Sequence, residues 1–437
     1  MSQETSRRDL LKLAGAAGIT LAMPLAARAE QSGTRKKGDK LRVACIGIGG
    51  RGGANLASAA KLGDVIALCD VDADRRAKAL IEYPRATTFT DFRELLEKLD
   101  KDLDVVIVST PDHTHAPAAA MAMKLGKHVY CEKPLTRTIF EARRLVELAK
   151  KHRVHTQMGN QSTSDDSVRQ VANLIRSKAF GEVKEIHCWT NRAGNFWPQG
   201  ISRPAPKEQP KQVDFDLWLG PSPERPYAEG YHPFAWRGWW EFGSGALGDI
   251  GCHNMNLPFM ALDLNNPVAV QAETSGHNKD SYPLWSIVKY EFAANRNRPA
   301  VNLQWYDGGK LPAQELAPGV KFGQNGMIIV CEKATLVCGN EYGIRTTILG
   351  GAPLPTVEFV KSPGHMAELF LAAEGGPAPM SNIPNYSGPL TEMVLLGNLA
   401  VWANGPRLEY DAKKMAVKGT NEYDSLIKPA YRAGWTL

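Results

Sequence analysis

The stretch Gly47-Ile48-Gly49-Gly50-Arg51-Gly52 follows an apolar run, Leu41–Ile46, and precedes the helix-compatible run Ala54–Ala57. Three closely spaced glycines between a buried strand and a helix let the backbone turn tightly and approach a pyrophosphate. The helix N-terminus then attracts the negative charge of that group. We therefore assign all six residues of the stretch to a dinucleotide site. Chance spacing among the forty glycines, or another nucleoside cofactor such as S-adenosylmethionine, remains an alternative.

A carboxylate in the expected place indicates which dinucleotide binds. A second apolar run, Asp64–Cys69, ends at Asp70. A carboxylate at the end of the second strand accepts hydrogen bonds from a ribose diol and repels the additional phosphate of NADP. NAD is therefore the predicted cofactor, although Arg75 and Arg76 nearby keep NADP open.

The remainder of the chain divides into two patterns. Strand-like and helix-like segments alternate from residue 41 to about 157, which predicts a parallel sheet covered on both faces. A helix at 165–178 and seven strand-like runs follow. The predicted class is α/β, with an N-terminal doubly wound Rossmann sheet (40–160) and a C-terminal α+β domain with a large mixed or antiparallel sheet (161–437). The second domain contains an aromatic loop insert (193–246) and a final helix (389–403).

The first residues predict export. Arg7-Arg8 precedes an apolar run, Leu13–Leu25, and a small-residue site, Ala27-Arg28-Ala29. This is the pattern of a twin-arginine (Tat) signal peptide over 1–29, followed by a polar linker over 30–39. We expect a periplasmic or secreted protein without a permanent membrane span. Retention of the segment as an anchor is the alternative.

Charge and cysteine content exclude other classes. The formal charge of +6 comes from interspersed basic and acidic residues, which gives nucleic-acid binding no support. The seven cysteines have no metal-ligand spacing, so buried thiols are expected and no disulfide framework is implied.

Further motifs follow the fourth and fifth predicted strands, at the sheet edge where such folds bind ligands. They are Thr110-Pro111-Asp112-His113-Thr114-His115 and Glu132-Lys133-Pro134. We assign Thr110, Pro111, His115, Glu132 and Lys133 to the cofactor site. The first motif resembles a zinc site, but without a further spaced ligand helix capping and cofactor contact are favoured, and no metal is predicted.

These motifs, together with Asp249-x-x-x-His253, resemble the oxidoreductases named after glucose-fructose oxidoreductase and inositol dehydrogenase, the Gfo/Idh/MocA family. Glu132-Lys133-Pro134 is the most specific element of the resemblance, which covers nearly the whole chain after the signal. It implies that Lys133, Asp249 and His253 face the nicotinamide ring across the domain cleft. It also implies a homo-oligomer, a dimer or tetramer, formed through the second domain.

The chemistry of these three residue types suits hydride removal from a hydroxyl carbon. Imidazole near its ordinary pKa is a good general base for the hydroxyl proton, so His253 is the candidate. An ammonium such as Lys133 stabilises the developing oxygen charge. Asp249, four residues from His253, shares its helix face and orients or stabilises the ring. The structural alternatives are a surface lysine, a helix-capping aspartate and a hydrogen-bonded structural histidine.

Substrate residues are expected near the domain junction. Asn160 and Gln161 follow the sixth strand and offer amides to a polyol, or else form an ordinary polar turn. Trp236 and Trp240 offer ring faces to a sugar, Arg237 offers a guanidinium to a carboxylate or hydroxyls, and His253 completes the set. Core or oligomer packing is the alternative for the tryptophans.

Three functions remain open from the sequence. The first is an NAD(P)-dependent oxidoreductase that acts on a sugar, glycoside or cyclitol with a tightly bound cofactor. The second is a redox-neutral NAD-dependent glycosidase, which oxidises, eliminates the aglycone, adds water and reduces again, as some exported relatives do. The third is an inactive sugar-binding protein, disfavoured by the presence of Lys133, Asp249 and His253 together.

Overall fold

The computed structural model describes residues 38–351 and 353–437. The predicted signal peptide (1–29) and most of the predicted linker (30–39) lie outside the described residues. Export therefore stays a prediction.

The first sheet has six parallel strands in the order β3-β2-β1-β4-β5-β6. The strands are β1 (Arg42–Ile46), β2 (Asp64–Cys69), β3 (Thr87–Phe89), β4 (Val105–Val108), β5 (His128–Cys131) and β6 (Thr156–Met158). The helices are α1 (Arg51–Leu62), α2 (Ala73–Glu82), α3 (Phe92–Lys98), α4 (Asp112–Lys124) and α5 (Ile139–His152). This strand order is that of the Rossmann fold, which confirms the predicted class.

The glycine stretch forms the tight connection between β1 and α1. Gly47 has φ 78°, a left-handed conformation that favours glycine, and a Cβ there would lie 2.7 Å from the backbone of Ser109. A Cβ at Gly52 would collide with the carbonyl oxygen of Gly47. Glycine at these two positions therefore lets the helix pack directly against the end of the sheet.

The second sheet has nine strands in the order β13-β12-β11-β7-β10-β9-β8-β14-β15. Its β7–β10 pair is parallel and its other pairs are antiparallel, as expected for a mixed sheet. The strands are β7 (Val183–Thr190), β8 (Ala269–Thr274), β9 (Ser286–Phe292), β10 (Val301–Tyr306), β11 (Asn325–Cys331), β12 (Thr335–Cys338), β13 (Thr347–Leu349), β14 (Leu408–Asp411) and β15 (Ala416–Val417).

Further helices follow β6 along the chain, most of them in the second domain, while the helix at His365–Ala373 packs on the first sheet through Met366, Leu369 and Phe370. These helices are α6 (Asp166–Arg176), α7 (Phe215–Leu219), α8 (Gly245–Asn254), α9 (Asn256–Leu262), α10 (His365–Ala373), α11 (Gly388–Ala403) and α12 (Asp424–Ile427). One hydrophobic core runs from the first sheet through α8, α9 and α11 to the second sheet. Residues 41–437 accordingly form one compact unit.

Helix α4 differs most from its sequence expectation among the helices of the first sheet. The sequence pattern predicts a helix only from residue 116, after the polar motif, whereas the helix begins four residues earlier, at Asp112. Its first turn is polar in sequence but buried in the structure, because the aromatic insert packs over it. Hydrophobic periodicity cannot mark a polar turn that is buried by a distant segment.

The insert 193–246 packs against the end of the first sheet. Its buried aromatic cluster comprises Phe215, Trp218, Tyr231, Trp236, Trp239 and Phe242. Backbone hydrogen bonds from Ala73 N to Gln212 O (2.8 Å) and from Asp214 N to Val71 O (3.0 Å) join the insert to the turn after β2. The loops of the second domain thus reach the edge where a ribose is expected.

The cysteines form no disulfides among the described residues. All seven cysteines are buried and free. Within residues 38–351 and 353–437, none of the helices has the length and apolar character required to cross a bilayer.

Candidate active site

A cavity of about 330 Å³ lies between the glycine loop, the loops after β4 and β5, the insert and helix α8. Most residues predicted for the site line it: Gly47, Gly49, Gly50, Arg51, Asp70, Thr110, Pro111, His115, Glu132, Lys133, Gln161, Trp236, Arg237, Asp249 and His253. Segments more than two hundred residues apart in sequence therefore converge on one cleft.

The glycine-loop end of the cavity fits a dinucleotide. Asp70 accepts hydrogen bonds from the backbone N–H of Ile48 (3.0 Å) and of Asp72 (3.0 Å), which fixes its carboxylate beside the loop. Helix α1 begins after Gly50 without a side-chain cap, and although the N–H groups of Gly52 and Gly53 donate to Gly49 O and Gly50 O, the positive end of the helix dipole at this point attracts a phosphate. The Thr110 Oγ1 atom is buried without a partner among the described residues. These features fit NAD.

Arg75 lies beside this acid. Its guanidinium is 3.8 Å from Asp70 and 3.6 Å from Asp72, and it rests against Gly49. Arg75, which could bind the additional phosphate of NADP, is therefore paired with Asp70, the carboxylate that favours NAD, and with Asp72.

Glu132 is a hub that holds several elements together. Its Oε1 atom accepts from Asn55 Nδ2 (2.9 Å), Arg51 Nε (3.3 Å), Tyr130 OH (3.2 Å) and Gln161 Nε2 (3.2 Å). The carboxylate thereby ties helix α1 to the end of β5 and to the segment after β6. Glu132 therefore lines the cleft and also holds in place the residues that support the cofactor loop.

Lys133 and Asp249 form a buried ion pair across the cleft. Lys133 Nζ donates to the Asp249 side chain (2.8 Å) and to the Asp249 carbonyl oxygen (2.7 Å). An ammonium has three N–H donors, so one remains for a substrate oxygen. Burial alone would raise the pKa of Asp249, but Lys133, Arg237 and Arg192 together hold it below its ordinary value.

His253 lies one helical turn after Asp249 on α8. It is 4 % exposed, its ring packs edge-on against Tyr342 at 4.9 Å, and its Nδ1 atom has no hydrogen-bond partner among the described residues. Burial, reinforced by the charge of Lys133, lowers its pKa well below the ordinary value. The imidazole is therefore neutral near pH 7 and able to accept a proton, but it is a weaker base than the imidazole of ordinary pKa expected from the sequence.

Two arginines complete the charged part of the site. Arg237 Nε lies 3.2 Å from Asp249 Oδ1, and Arg192 Nη1 lies 3.4 Å from Asp249 Oδ2. Arg192 also contacts Glu341 at 3.3 Å. One carboxylate thus receives three cations.

Asp112, at the first position of α4, is a further acid near these cations, besides Asp249 and Glu341. It lines the same cavity and is 4 % exposed. Burial raises its pKa to about 7, against the opposing influence of Arg237 and Lys133. It is a second group able to exchange a proton near neutral pH.

The structure places two predicted substrate residues outside the cleft. Trp240 stacks on Tyr282 with ring centroids 3.6 Å apart, and its indole N–H donates to Ser281 O (3.0 Å). It lines a separate cavity. Asn160 is fully buried and donates to Asn256 Oδ1 (3.0 Å). Both side chains are occupied by packing, which corrects their assignment to substrate contact.

Two residues of the glycine stretch act behind the cavity wall. Ile48 is buried and contributes its backbone N–H to Asp70, and Gly52 permits the close approach of α1 to β1. Their roles support the loop without lining the cleft.

The two histidines of the metal-like motif are enclosed by backbone. His113 has its ring nitrogens 3.1 Å from Phe242 O and 2.8 Å from Trp218 O. His115 has its nitrogens 2.9 Å from Pro134 O and 2.8 Å from Thr110 O. His113 therefore anchors the insert, and His115 links the loops after β4 and β5.

Sequence reasoning did not assign several of the cavity residues to the site, among them Arg192, His232, Phe234 and Tyr342. Arg192 and Tyr342 come from turns of the second domain, and His232 and Phe234 come from the insert. The available signals were weak: Arg192 comes two residues after β7 ends, and Tyr342 lies in a glycine-bounded turn, Gly339–Gly343.

Family models match most of the described chain. Residues 41–160 match the model of an oxidoreductase family with an NAD-binding Rossmann fold, and residues 164–297 match the C-terminal α/β domain of the same family. The chain belongs to the Gfo/Idh/MocA oxidoreductase family. The resemblance and the predicted NAD-type cofactor are thereby confirmed.

Individual relatives carry different names. A glycosyl hydrolase family 109 protein from Solibacter usitatus is 35 % identical over 196 residues, 41 % of this chain and 44 % of the relative. An inositol 2-dehydrogenase from Salmonella paratyphi B is 32 % identical over 152 residues, 34 % of this chain and 45 % of the relative. The alignments thus span less than half the length of these curated relatives.

A solved structure shares the fold across both domains. The WlbA dehydrogenase from Bordetella pertussis, crystallised with NADH and UDP-GlcNAcA, has a TM-score of 0.61 at 15 % identity. The match covers 85 % of this chain and 99 % of that protein.

Proposed function

We propose that this protein is an exported oxidoreductase that uses a tightly bound NAD to move hydride to or from a hydroxyl carbon of a sugar, glycoside or cyclitol. The observation that carries the proposal is the Lys133–Asp249 pair, 2.8 Å apart, beside the neutral, buried His253 in the dinucleotide cleft. When bound, NAD supplies the hydride acceptor.

The residues divide the remaining work. The remaining N–H donor of Lys133 binds the substrate oxygen and stabilises negative charge on it. The imidazole of His253 takes the hydroxyl proton. Asp249 holds the ammonium in place and compensates its charge in the buried site.

The family and its relatives support the sugar or cyclitol class. The inositol 2-dehydrogenase relative acts on a cyclitol by its name, and the WlbA structure holds a nucleotide sugar. Gln161 and Trp236 line the cleft and suit a polyol, because an amide binds hydroxyls and a ring face covers C–H groups.

The redox-neutral glycosidase is the second candidate. The glycosyl hydrolase family 109 relative favours it, and so does Asp112, since elimination and water addition require a second group that exchanges protons. An exported enzyme also benefits from a cycle that regenerates its own cofactor.

One experiment separates the candidates. Purified protein is first denatured to measure released NAD and then, in native form and without added cofactor, incubated anaerobically with sugars and chromogenic glycosides. Lasting reduced-nicotinamide absorbance without aglycone supports the dehydrogenase. Aglycone without lasting reduction supports the glycosidase. If neither signal is seen, even after NAD is added, the remaining hypothesis is that of an inactive sugar-binding protein.

Export and assembly belong to the same proposal. The Arg7-Arg8 pattern supports Tat export, which carries proteins across already folded and therefore with their cofactor. A homo-oligomer through the second domain is the family expectation, and the molar mass in solution tests it.

A further inference from the structure

Positive charge exceeds negative charge around the reacting groups of the cleft. Lys133, Arg192 and Arg237 all lie within 3.4 Å of Asp249. The other carboxylate in contact with them is Glu341, 3.3 Å from Arg192. Three cations therefore share two carboxylates. Asp112 also faces these cations, but because its pKa is raised to about 7 it is largely protonated in slightly acidic solution.

The arginines retain unused hydrogen-bonding capacity. A guanidinium carries five N–H donors and no acceptor, so each unused donor needs an oxygen. The Nε atom of Arg192 is buried and has no partner among the described residues. The Arg237 Nε contact to Asp249, at 3.2 Å, goes to the oxygen that Lys133 already contacts at 2.8 Å. The hydrogen-bond donors of Arg192 and Arg237 are therefore not all used by the described residues of the protein.

Aromatic rings hold both guanidinium groups in position. The Arg237 Cζ atom lies 4.1 Å from the Trp236 ring centroid and 4.6 Å from that of Phe234. The Arg192 Cζ atom lies 4.8 Å from the Phe196 centroid. Stacked guanidinium groups lose little further freedom when they bind, which favours fork-like recognition of a planar anion.

We propose that the substrate is an acidic sugar, a uronic acid or uronide, whose carboxylate is bound by Arg192 and Arg237 while its hydroxyl carbon faces Lys133 and His253. The inference rests on the proposed function and specifies its substrate class. A carboxylate matches the planar arginine fork, and its single charge matches the excess of one cation.

The test compares ligands that share one sugar ring and differ at C6, where only one of them carries a negative charge. We would titrate the cofactor-loaded protein with methyl glucuronide, its neutral methyl ester and methyl glucoside, and then with the three corresponding galactose derivatives. The titrations are done at about pH 6, where Asp112 is mostly protonated. Tryptophan fluorescence reports binding and requires no turnover. The wild type is expected to bind one uronide at least about tenfold more tightly than its neutral counterparts.

Variants assign the effect to the two arginines. Arg237→Gln and Arg192→Gln are each expected to weaken uronide binding by about ten- to a hundredfold, with the affinity for the methyl ester changed less than about twofold. Arg407→Gln is the matched control, since it removes the same charge from an exposed pair with Glu291 on the second sheet. It is expected to leave both affinities unchanged.

The outcomes separate this inference from the proposed function. Equal binding of uronide and ester, equal losses for both ligands in Arg237→Gln, or no uronide binding would overturn the acidic substrate. Oxidation of a neutral sugar by the same protein would then still support hydride transfer. Tight, arginine-dependent uronide binding without any reduction of bound NAD with any sugar would support the anion site and contradict the dehydrogenase.

Discussion

Asp249 is the shared counter-ion of three positively charged side chains in the cleft. It is buried, ionised and in contact with Lys133, Arg192 and Arg237, so its removal would leave these three cations without their shared counter-ion in a low-dielectric site. Breaking one partner of a buried ion pair is strongly destabilising for this reason. Variants that probe the reaction should therefore preserve Asp249 and alter its neighbours.

His253→Asn tests the general base. The rate of bound-NAD reduction should fall by about a hundred- to ten-thousandfold, because no imidazole takes the hydroxyl proton. NAD content and sugar affinity should be retained. A rate within about threefold of wild type would contradict the assignment.

Lys133→Gln tests the coupling between the lysine and the base. Because the Lys133 charge helps to lower the pKa of His253, its loss should raise that pKa and shift the acid limb of the pH–rate profile upward, besides slowing the reaction. Lys124→Gln, an exposed change on α4, is the control. An unshifted limb would show that Lys133 does not act on His253.

Asp112→Asn tests the raised carboxyl pKa. The folded-state pKa of about 7 exceeds the unfolded value of 3.8, so wild type loses stability as pH rises from about 4 to 7. The variant lacks this loss, so its stability relative to wild type should increase by about 1.4 kcal/mol per pKa unit over that range. Urea unfolding of both proteins at about pH 5 and about pH 8 measures it. A constant difference would contradict the shift.

At the scale of elements, the insert 193–246 joins the two ends of the dinucleotide cleft. Its buried aromatic cluster packs on α4, and its His232 Nε2 atom lies 3.0 Å from Asp72 Oδ2 in the turn after β2. His232, Pro233 and Phe234 line the same cavity as Asp70. A cofactor bound in this cleft would be covered by a segment of the second domain, which would favour tight binding.

His232→Ala should therefore release NAD faster. Loss of a hydrogen bond to a charged group predicts an increase of about tenfold or more in the dissociation rate, measured by transfer of NAD to an excess of a scavenging dehydrogenase. Lys207→Ala, which removes the exposed contact with Glu229 in the same insert, should leave the rate unchanged. Equal rates in all three proteins would show that the insert does not retain the cofactor.

At the scale of the whole molecule, two sheets and one continuous core place the reacting groups. The first sheet supplies the glycine loop, Asp70 and Lys133, while helix α8 of the second domain supplies Asp249 and His253. The site exists only where these parts meet.

The predicted route of export has a direct test. Replacement of Arg7 and Arg8 by lysine should retain the full-length protein in the cytoplasm, because Tat receptors require the arginine pair. Cell fractionation of both proteins, with replacement of Lys36 and Lys37 by arginine as a control, measures this. Equal export of the double-lysine variant would contradict the Tat assignment.

Local sequence was sufficient for the first sheet and for the cofactor end of the cleft. Continuous apolar strands, the glycine turn and the acid after β2 are set by interactions within about thirty residues, so periodicity and spacing predict them. The Lys133, Asp249 and His253 assignments came from motifs and a family resemblance, and the structure brings the three together. Their catalytic roles stay predictions.

Tertiary structure decided what the cleft contains besides these groups. Arg192, Tyr342 and His232 belong to none of the predicted motifs and reach the site only because the second sheet and the insert fold over the first. The same packing buries Asn160 and turns Trp240 away. A side chain's type shows which contacts it is able to make, but burial and charge neighbours, which set its pKa and its access to substrate, arise from contacts between distant segments.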